Sequence, residues 1–268
     1  MLSQAVDFRD ESRALHALLS PLSDAELAEA SLFKGWTPDD IVAHLDQFNR
    51  LADESLVDPD RFEAGMKEIM ARMADGTDMR TTTERMYAGL RGQPLLERWR
   101  EGFEGMAERW VNADPKQRLP WFGPSMSVRS SITARLMETW AHGQAAYDLR
   151  GMERVDGDRI RNIVVLGVNT FGWTFANRGL PVPAPAPHLV LTAPSGEIWR
   201  YNDPRDDERI EGLARDFCQV VTQVRNVADT GLHVTGAVAN RWMSIAQCFA
   251  GQPENPPAPG ARHRRVRA

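Results

Sequence analysis

The chain has 268 residues, 42% of them hydrophobic and 26% charged, and carries a formal net charge of −5. That length supports one large domain or two ordinary ones, each with its own core, and the acidic balance argues against a general nucleic-acid or anionic-membrane role, because phosphate binding calls for a basic surface. The start, MLSQAVDFRDESRAL, has early acidic residues and no apolar core of a signal peptide. No stretch approaches the ~20 apolar residues of a membrane span, so a cytoplasmic protein is expected.

Taken in chain order, residues 2–20 read as an amphipathic helix with Val6, Leu15, Leu18 and Leu19 on one stripe, ended by Pro21. A short helix follows at 24–30. The run Thr37, Pro38, Asp39, Asp40 combines an N-cap hydroxyl, a proline in the first turn and first-turn acids; it predicts a helix from Pro38 to about Ser55. Residues 58–92 hold polar helical pieces without a strong core pattern and are expected to form an excursion, a candidate lid. Leu96, Trp99, Phe103, Met106 and Trp110 mark the next helix. After a turn-rich segment (114–124), a long helix is expected over about 127–150, with Gly151 just beyond its end.

A further helix is predicted from about Asp156 to Asn177. The segment PVPAPAP (181–187) reads as a semi-rigid linker. Beyond it, HLVLTAPSGEIWRY (188–201) reads as two strands around a Pro-Ser-Gly turn. Glu208–Arg225 reads as a helix, GLHVTG as a strand and Val238–Phe249 as a last helix. The expected division is a helical bundle over 1–152, a helix at 153–180 attached to that bundle, the linker, a small α+β domain over 188–251, and a disordered Pro/Gly-rich tail over 252–268. The basic residues His263, Arg264, Arg265 and Arg267 belong to that tail. Cys218 and Cys248 sit among apolar residues and are expected as buried free thiols.

The candidate chemistry lies on two helices. His44 is three residues after Ile41 and four before Phe48, which puts it on the buried stripe of its helix. Glu138 and His142 are four apart, so they leave the same face of the long helix one turn from each other. Their neighbours are mostly apolar or small, and a buried carboxylate needs a partner charge or a cation. A divalent metal satisfies that need. So does Arg135, three residues upstream, and spacing alone does not choose between them. Two ligands from one helix and one from a facing helix would make a His₂Glu set with open coordination positions, suited to zinc and also to Fe(II), Ni(II) or Mn(II). His16, His188, His233 and His263 read as structural or surface residues.

The motifs GWTPDDIVAHL (35–45) and ETWAHGQ (138–144) together resemble the metal-binding domain of mycothiol-dependent maleylpyruvate isomerases, of the DinB-like bundle superfamily. The stretch DTGLHVTGAVA (229–239) is similar to their C-terminal domain, and the whole is similar to an actinobacterial subgroup of undefined activity. The resemblance implies a mainly α fold, a DinB-like four-helix bundle followed by a small α+β domain. It implies that His44, Glu138 and His142 bind a divalent metal, usually Zn²⁺, and that mycothiol serves as cosubstrate beside an electrophilic small molecule. Ala145 departs from the aspartate that relatives often carry there. The implied reaction is an isomerisation or S-transfer in which a metal-activated thiol adds to the electrophile, with Arg135 a candidate for binding an anionic substrate. A metal-dependent hydrolase using metal-bound hydroxide and a non-catalytic metal- and ligand-binding protein are the alternatives, since fold does not decide function.

Overall fold

The computed structural model describes residues 1–266. Its first unit, Met1–Met152, runs through α1 (Ser3–Leu19), the one-turn α2 (Asp24–Leu27), α3 (Pro38–Val57), α4 (Pro59–Met73), α5 (Met79–Tyr87), α6 (Gly92–Trp110), the two-residue strands β1 (Arg118–Leu119) and β2 (Met126–Ser127), and α7 (Val128–Leu149). The bundle is α1, α3, α6 and α7, with α1 and α3 each packed against both α6 and α7. Phe8, Leu15, Leu19, Ile41, Leu45, Trp99, Phe103, Trp110, Ile132, Leu136 and Trp140 are all fully buried in its core. Burial of such side chains is the main stabilising term, about 1.5–3 kcal/mol for each.

The start of α3 is fixed locally. Thr37 closes a capping box with Asp40: its hydroxyl accepts from the Asp40 N–H (3.1 Å), and the Asp40 carboxylate accepts from the Thr37 N–H (2.9 Å). Two donors that the first turn cannot satisfy are thereby paired. The α7 helix begins likewise, Ser127 accepting from the Ser130 N–H (3.1 Å), and Gly151 follows its end with φ 65°. The excursion over 58–92 is α4 and α5, which pack on α3 and on each other. The turn-rich segment after α6 holds the β1–β2 pair, Leu119 opposite Met126, too short for a period-2 pattern to mark.

The second unit starts at Glu153. It contains α8 (Arg161–Asn169), α9 (Phe171–Ala176), β3 (His188–Thr192), β4 (Ile198–Tyr201), β5 (Arg209–Leu213), α10 (Ala214–Val221), β6 (His233–Thr235) and α11 (Ala237–Ile245). The sheet order is β4-β3-β5-β6. β3 and β4 form the expected antiparallel pair, Leu189 opposite Tyr201. β5 runs parallel to β3 and β6 antiparallel to β5. Phe171 and Phe217 pack edge-on against Trp242, with centroids 4.9 and 5.6 Å away.

Four expectations are corrected in this unit. Residues 153–180, assigned to the bundle from sequence, group with the C-terminal part, where Ile160, Ile163 and Val164 are buried. Gly167 of α8 lies so close to α10 that an added Cβ would stand 2.9 Å from Phe217. The single helix expected over 156–177 is divided at Thr170, whose hydroxyl donates to the Leu166 and Gly167 carbonyls (2.8 and 3.1 Å); such back-bonding bends helices. The helix expected from Glu208 begins only at Ala214, because Arg209–Leu213 alternates with Ile210 buried and pairs with β3. Gly212 has φ 145°, outside helical space.

The tail expected as disordered is instead held by side-chain amides and charges over residues 252–262. Gln223 donates to the Glu254 carbonyl (2.7 Å), Asn226 to Pro257 (2.8 Å), and the Asp229 carboxylate accepts from the Gly260 N–H (2.9 Å). Proline-rich backbone has free carbonyls, and these donors use them. Arg267 lies outside the described residues. Cys218 and Cys248 are buried and in no disulfide, as expected, and burial pushes the Cys218 thiol well up from its ordinary range. Among the described residues no helix is long and apolar enough to cross a membrane.

Candidate metal centre

The α3 and α7 helices bring His44, Glu138 and His142 together. One ligand atom from each lies within 4.8 Å of the others. His142 Nε2 is 3.0 Å and His44 Nε2 3.4 Å from the same carboxylate oxygen, Glu138 Oε2. The side chains are 12%, 22% and 16% exposed for His44, Glu138 and His142, enclosed yet reachable. The i,i+4 spacing on α7 supplies two of the groups, and the capping box of α3 sets the register that supplies the third.

Aromatic rings fix the two imidazoles. Trp36 stacks on His142 (5.6 Å, interplanar 9°) and meets His44 edge-on (5.4 Å). Phe33 sits edge-on against His142 (5.2 Å), and Phe48 packs on His44 (4.7 Å). The loop carrying Phe33 and Trp36 is tied by Ser31, whose hydroxyl donates to the Trp36 carbonyl (2.6 Å) and accepts from the Phe33 N–H (3.2 Å). Sequence reasoning treated this loop only as a connection. The available signal was position: Trp36 immediately precedes the N-cap residue, and Phe33 follows the tethering serine by two.

The electrostatics suit a cation. Burial pushes His44 down to about 4, more than Glu138 raises it, so the imidazole is neutral near pH 7, the form that ligates a metal. Burial works against the Glu138 carboxylate, yet the two imidazoles and Arg135 outweigh it and hold it well below the usual range. Without an ion, each ring must turn its one proton onto Nε2 to face the same Glu138 oxygen. Two imidazole nitrogens and a carboxylate oxygen converging on one point are a donor set that fits a divalent metal such as zinc.

Arg135 is not the principal partner of Glu138. Its Nη2 stands 4.0 Å from Glu138 Oε1, too far for a hydrogen bond, whereas the imidazoles are closer. The guanidinium instead lies over the Phe48 and Trp121 rings, 5.7 and 5.4 Å from their centroids. The remaining histidines stay apart from the cluster. His188 Nδ1 donates to the backbone carbonyls of Tyr201 and Asn202 (3.1 and 3.2 Å), a structural role, and His16 lies near Trp99.

Fold and cluster together define a helical-bundle protein with a two-histidine, one-glutamate donor set in the bundle and an α+β unit after it. The chain belongs to the family described as Mycothiol maleylpyruvate isomerase N-terminal domain, which matches residues 8–147. Uncharacterized proteins from two strains of Mycobacterium tuberculosis are 37% identical over 249 residues, covering 92% of this chain and 95% of the relative. The crystal structure of the mycothiol-dependent maleylpyruvate isomerase is similar with a TM-score of 0.53 at 15% identity, over 86% of this chain and 90% of that one. The structure of its histidine-to-alanine mutant aligns with a TM-score of 0.50 at 16% identity, over 81% of this chain and 87% of that one. At these identities the structural likeness establishes the fold.

Proposed function

We propose that His44, Glu138 and His142 bind a divalent metal, zinc by donor type, and that the protein adds mycothiol, a low-molecular-weight thiol, to an electrophilic small molecule. The thiol either leaves after bond rotation, an isomerase outcome, or stays, an S-transferase outcome. The observation that carries this reading is the convergence of the three ligand atoms within 4.8 Å, in a chain of this family. A bound divalent ion there supplies Lewis acidity, which lowers a coordinated thiol's pKa toward neutrality. His44 and His142 offer imidazole nitrogens, and Glu138 offers the charge. Trp36, Phe33 and Phe48 hold the rings in orientation and keep bulk water from the imidazole faces, which strengthens every charge interaction inside.

The test is metal analysis of protein purified without chelator, followed by two assays with mycothiol: cis–trans isomerisation of maleylpyruvate, and thiol consumption with chlorodinitrobenzene. The expected result is near-stoichiometric metal, and one of these two activities, lost on chelation and in His142→Ala. Fully metal-loaded protein that neither isomerises maleylpyruvate nor consumes thiol with chlorodinitrobenzene would sink the reaction. A His142→Ala protein that keeps its metal would sink the ligand set.

A further inference from the structure

The aromatic and methionine cluster beside the metal centre is continuous with it. Phe48 touches His44 and lies 6.5 and 6.0 Å from Trp121 and Phe122. Trp121 in turn stacks on Phe62 at 5.8 Å. Leu51 and Ile69 complete a buried patch, and Met66, Met73, Met79 and Met86 pack against it only partly buried. Those methionines belong to α4 and α5. Thioether side chains are unbranched and polarizable, and they repack around apolar ligands of varied shape.

Arg135 stands where this patch meets the metal centre. Its side chain is only 6% exposed, yet its Nη1 is buried with no hydrogen-bond partner among the described residues. An open guanidinium donor in such surroundings is costly, and an anionic oxygen is the group that would satisfy it, by a charge-assisted hydrogen bond. We infer that Arg135 anchors the anionic group of the substrate and that the partly buried Trp121, Phe122 and methionine side chains beside it take its apolar body. The substrate is then a hydrophobic monoanion, an electrophilic centre carried on an aromatic or medium-chain body with a single carboxylate, and this deepens the thiol-addition reading on which it rests. A small diacid is disfavoured, because its second carboxylate would face the uncharged Met66, Met73, Trp121 and Phe122 side chains.

The test uses the full chain loaded with zinc and titrated calorimetrically with butanoate, octanoate, octanol and maleate. Each methylene entering apolar surroundings raises affinity by about fourfold at most, so octanoate should bind more than about tenfold tighter than butanoate or maleate. Arg135→Met should weaken octanoate by about tenfold or more and leave octanol unchanged. Trp121→Ser, on the hairpin, should weaken octanoate and octanol alike, and it keeps the idea testable should Arg135→Met fold poorly. Maleate binding as tightly as octanoate overturns the inference. So does octanoate affinity unchanged in Arg135→Met, which would mean the carboxylate binds the metal alone. Zinc content, and activity with mycothiol in the two assays above, are read on the same protein. Zinc-loaded protein that is active with mycothiol and prefers maleate refutes this subsite and leaves the proposed reaction standing. Zinc-free protein that binds octanoate through Arg135 refutes the reaction and leaves the subsite.

Discussion

Acidification of the metal-free protein should destabilise the bundle through His44 first. Burial lowers His44 from 6.5 to about 4, only partly opposed by Glu138. Between those values the unfolded chain takes up a proton on this imidazole and the folded chain does not. The unfolded state therefore binds more protons across the window, and stability falls as pH falls through it. At 1.36 kcal/mol per pH unit the loss amounts to about 3 kcal/mol between pH 6.5 and about 4. Glu138 acts in the adjoining window. Its folded value lies well below 4.5, so its contribution is present above 4.5 and is lost as pH drops further. The assay is urea unfolding in chelator at about pH 7 and about pH 4.5, on the wild type and on His44→Gln. The wild type should lose about 2 kcal/mol more than the variant over that interval, which stops short of the folded value. Equal losses in the two proteins would refute the assignment of the buried neutral imidazole.

Glu138→Gln should reduce metal affinity on the order of a hundredfold or more, because it removes a ligand where even outer contacts are worth 10–100-fold; equilibrium dialysis against zinc measures it, with circular dichroism reporting the retained helices. Thr37→Ala removes the hydroxyl that accepts from the Asp40 N–H and should cost about 1 kcal/mol in chemical denaturation. Tyr87→Phe deletes the 2.6 Å bond to Asp46 but leaves Arg98 on that carboxylate at 3.0 Å, so a loss of about 1.5 kcal/mol is expected. Gly167→Ala should destabilise the second unit by about 1–3 kcal/mol, since the new methyl would meet Phe217 and Val221 at 2.9 and 3.0 Å.

The bundle was legible where local chemistry and periodicity agree. Thr37 with Pro38 and Asp40 marked the start of α3, and the Trp99, Phe103, Met106, Trp110 stripe marked α6. In the α+β unit the two signals disagree. Arg209–Leu213 has the charged composition of a helix, yet it becomes a strand because β3 provides a parallel partner and Ile210 a buried side chain; tertiary pairing overrides propensity. At the metal centre, spacing placed Glu138 and His142 on one face of α7, but it left Arg135 as an equal partner for the carboxylate. Only the distances, 3.0 and 3.4 Å to the imidazoles against 4.0 Å to the guanidinium, separate the two. Phe62 and Trp121 gave no warning, because aromatic residues are usual in any core and their relation to Arg135 and Phe48 comes from chain segments distant in sequence.

The charge balance at this end of the bundle links the two proposals. Glu138 and Arg135 carry opposite charges and balance each other before any ion binds. A divalent cation would add two positive charges in a partly enclosed, ring-lined space, where unbalanced charge is expensive. One thiolate neutralises only half of that excess. A second anion, on the substrate, would neutralise the rest, and the open Nη1 of Arg135 is the donor placed to receive it. Affinity for the anionic ligand and for the metal should therefore be coupled and reciprocal: octanoate should raise zinc affinity in the wild type by the same factor by which zinc raises octanoate affinity. Arg135→Met should shrink that factor, because the carboxylate loses the group that holds it beside the cation. A coupling factor of unity in the wild type would mean that the anion site and the metal site are independent.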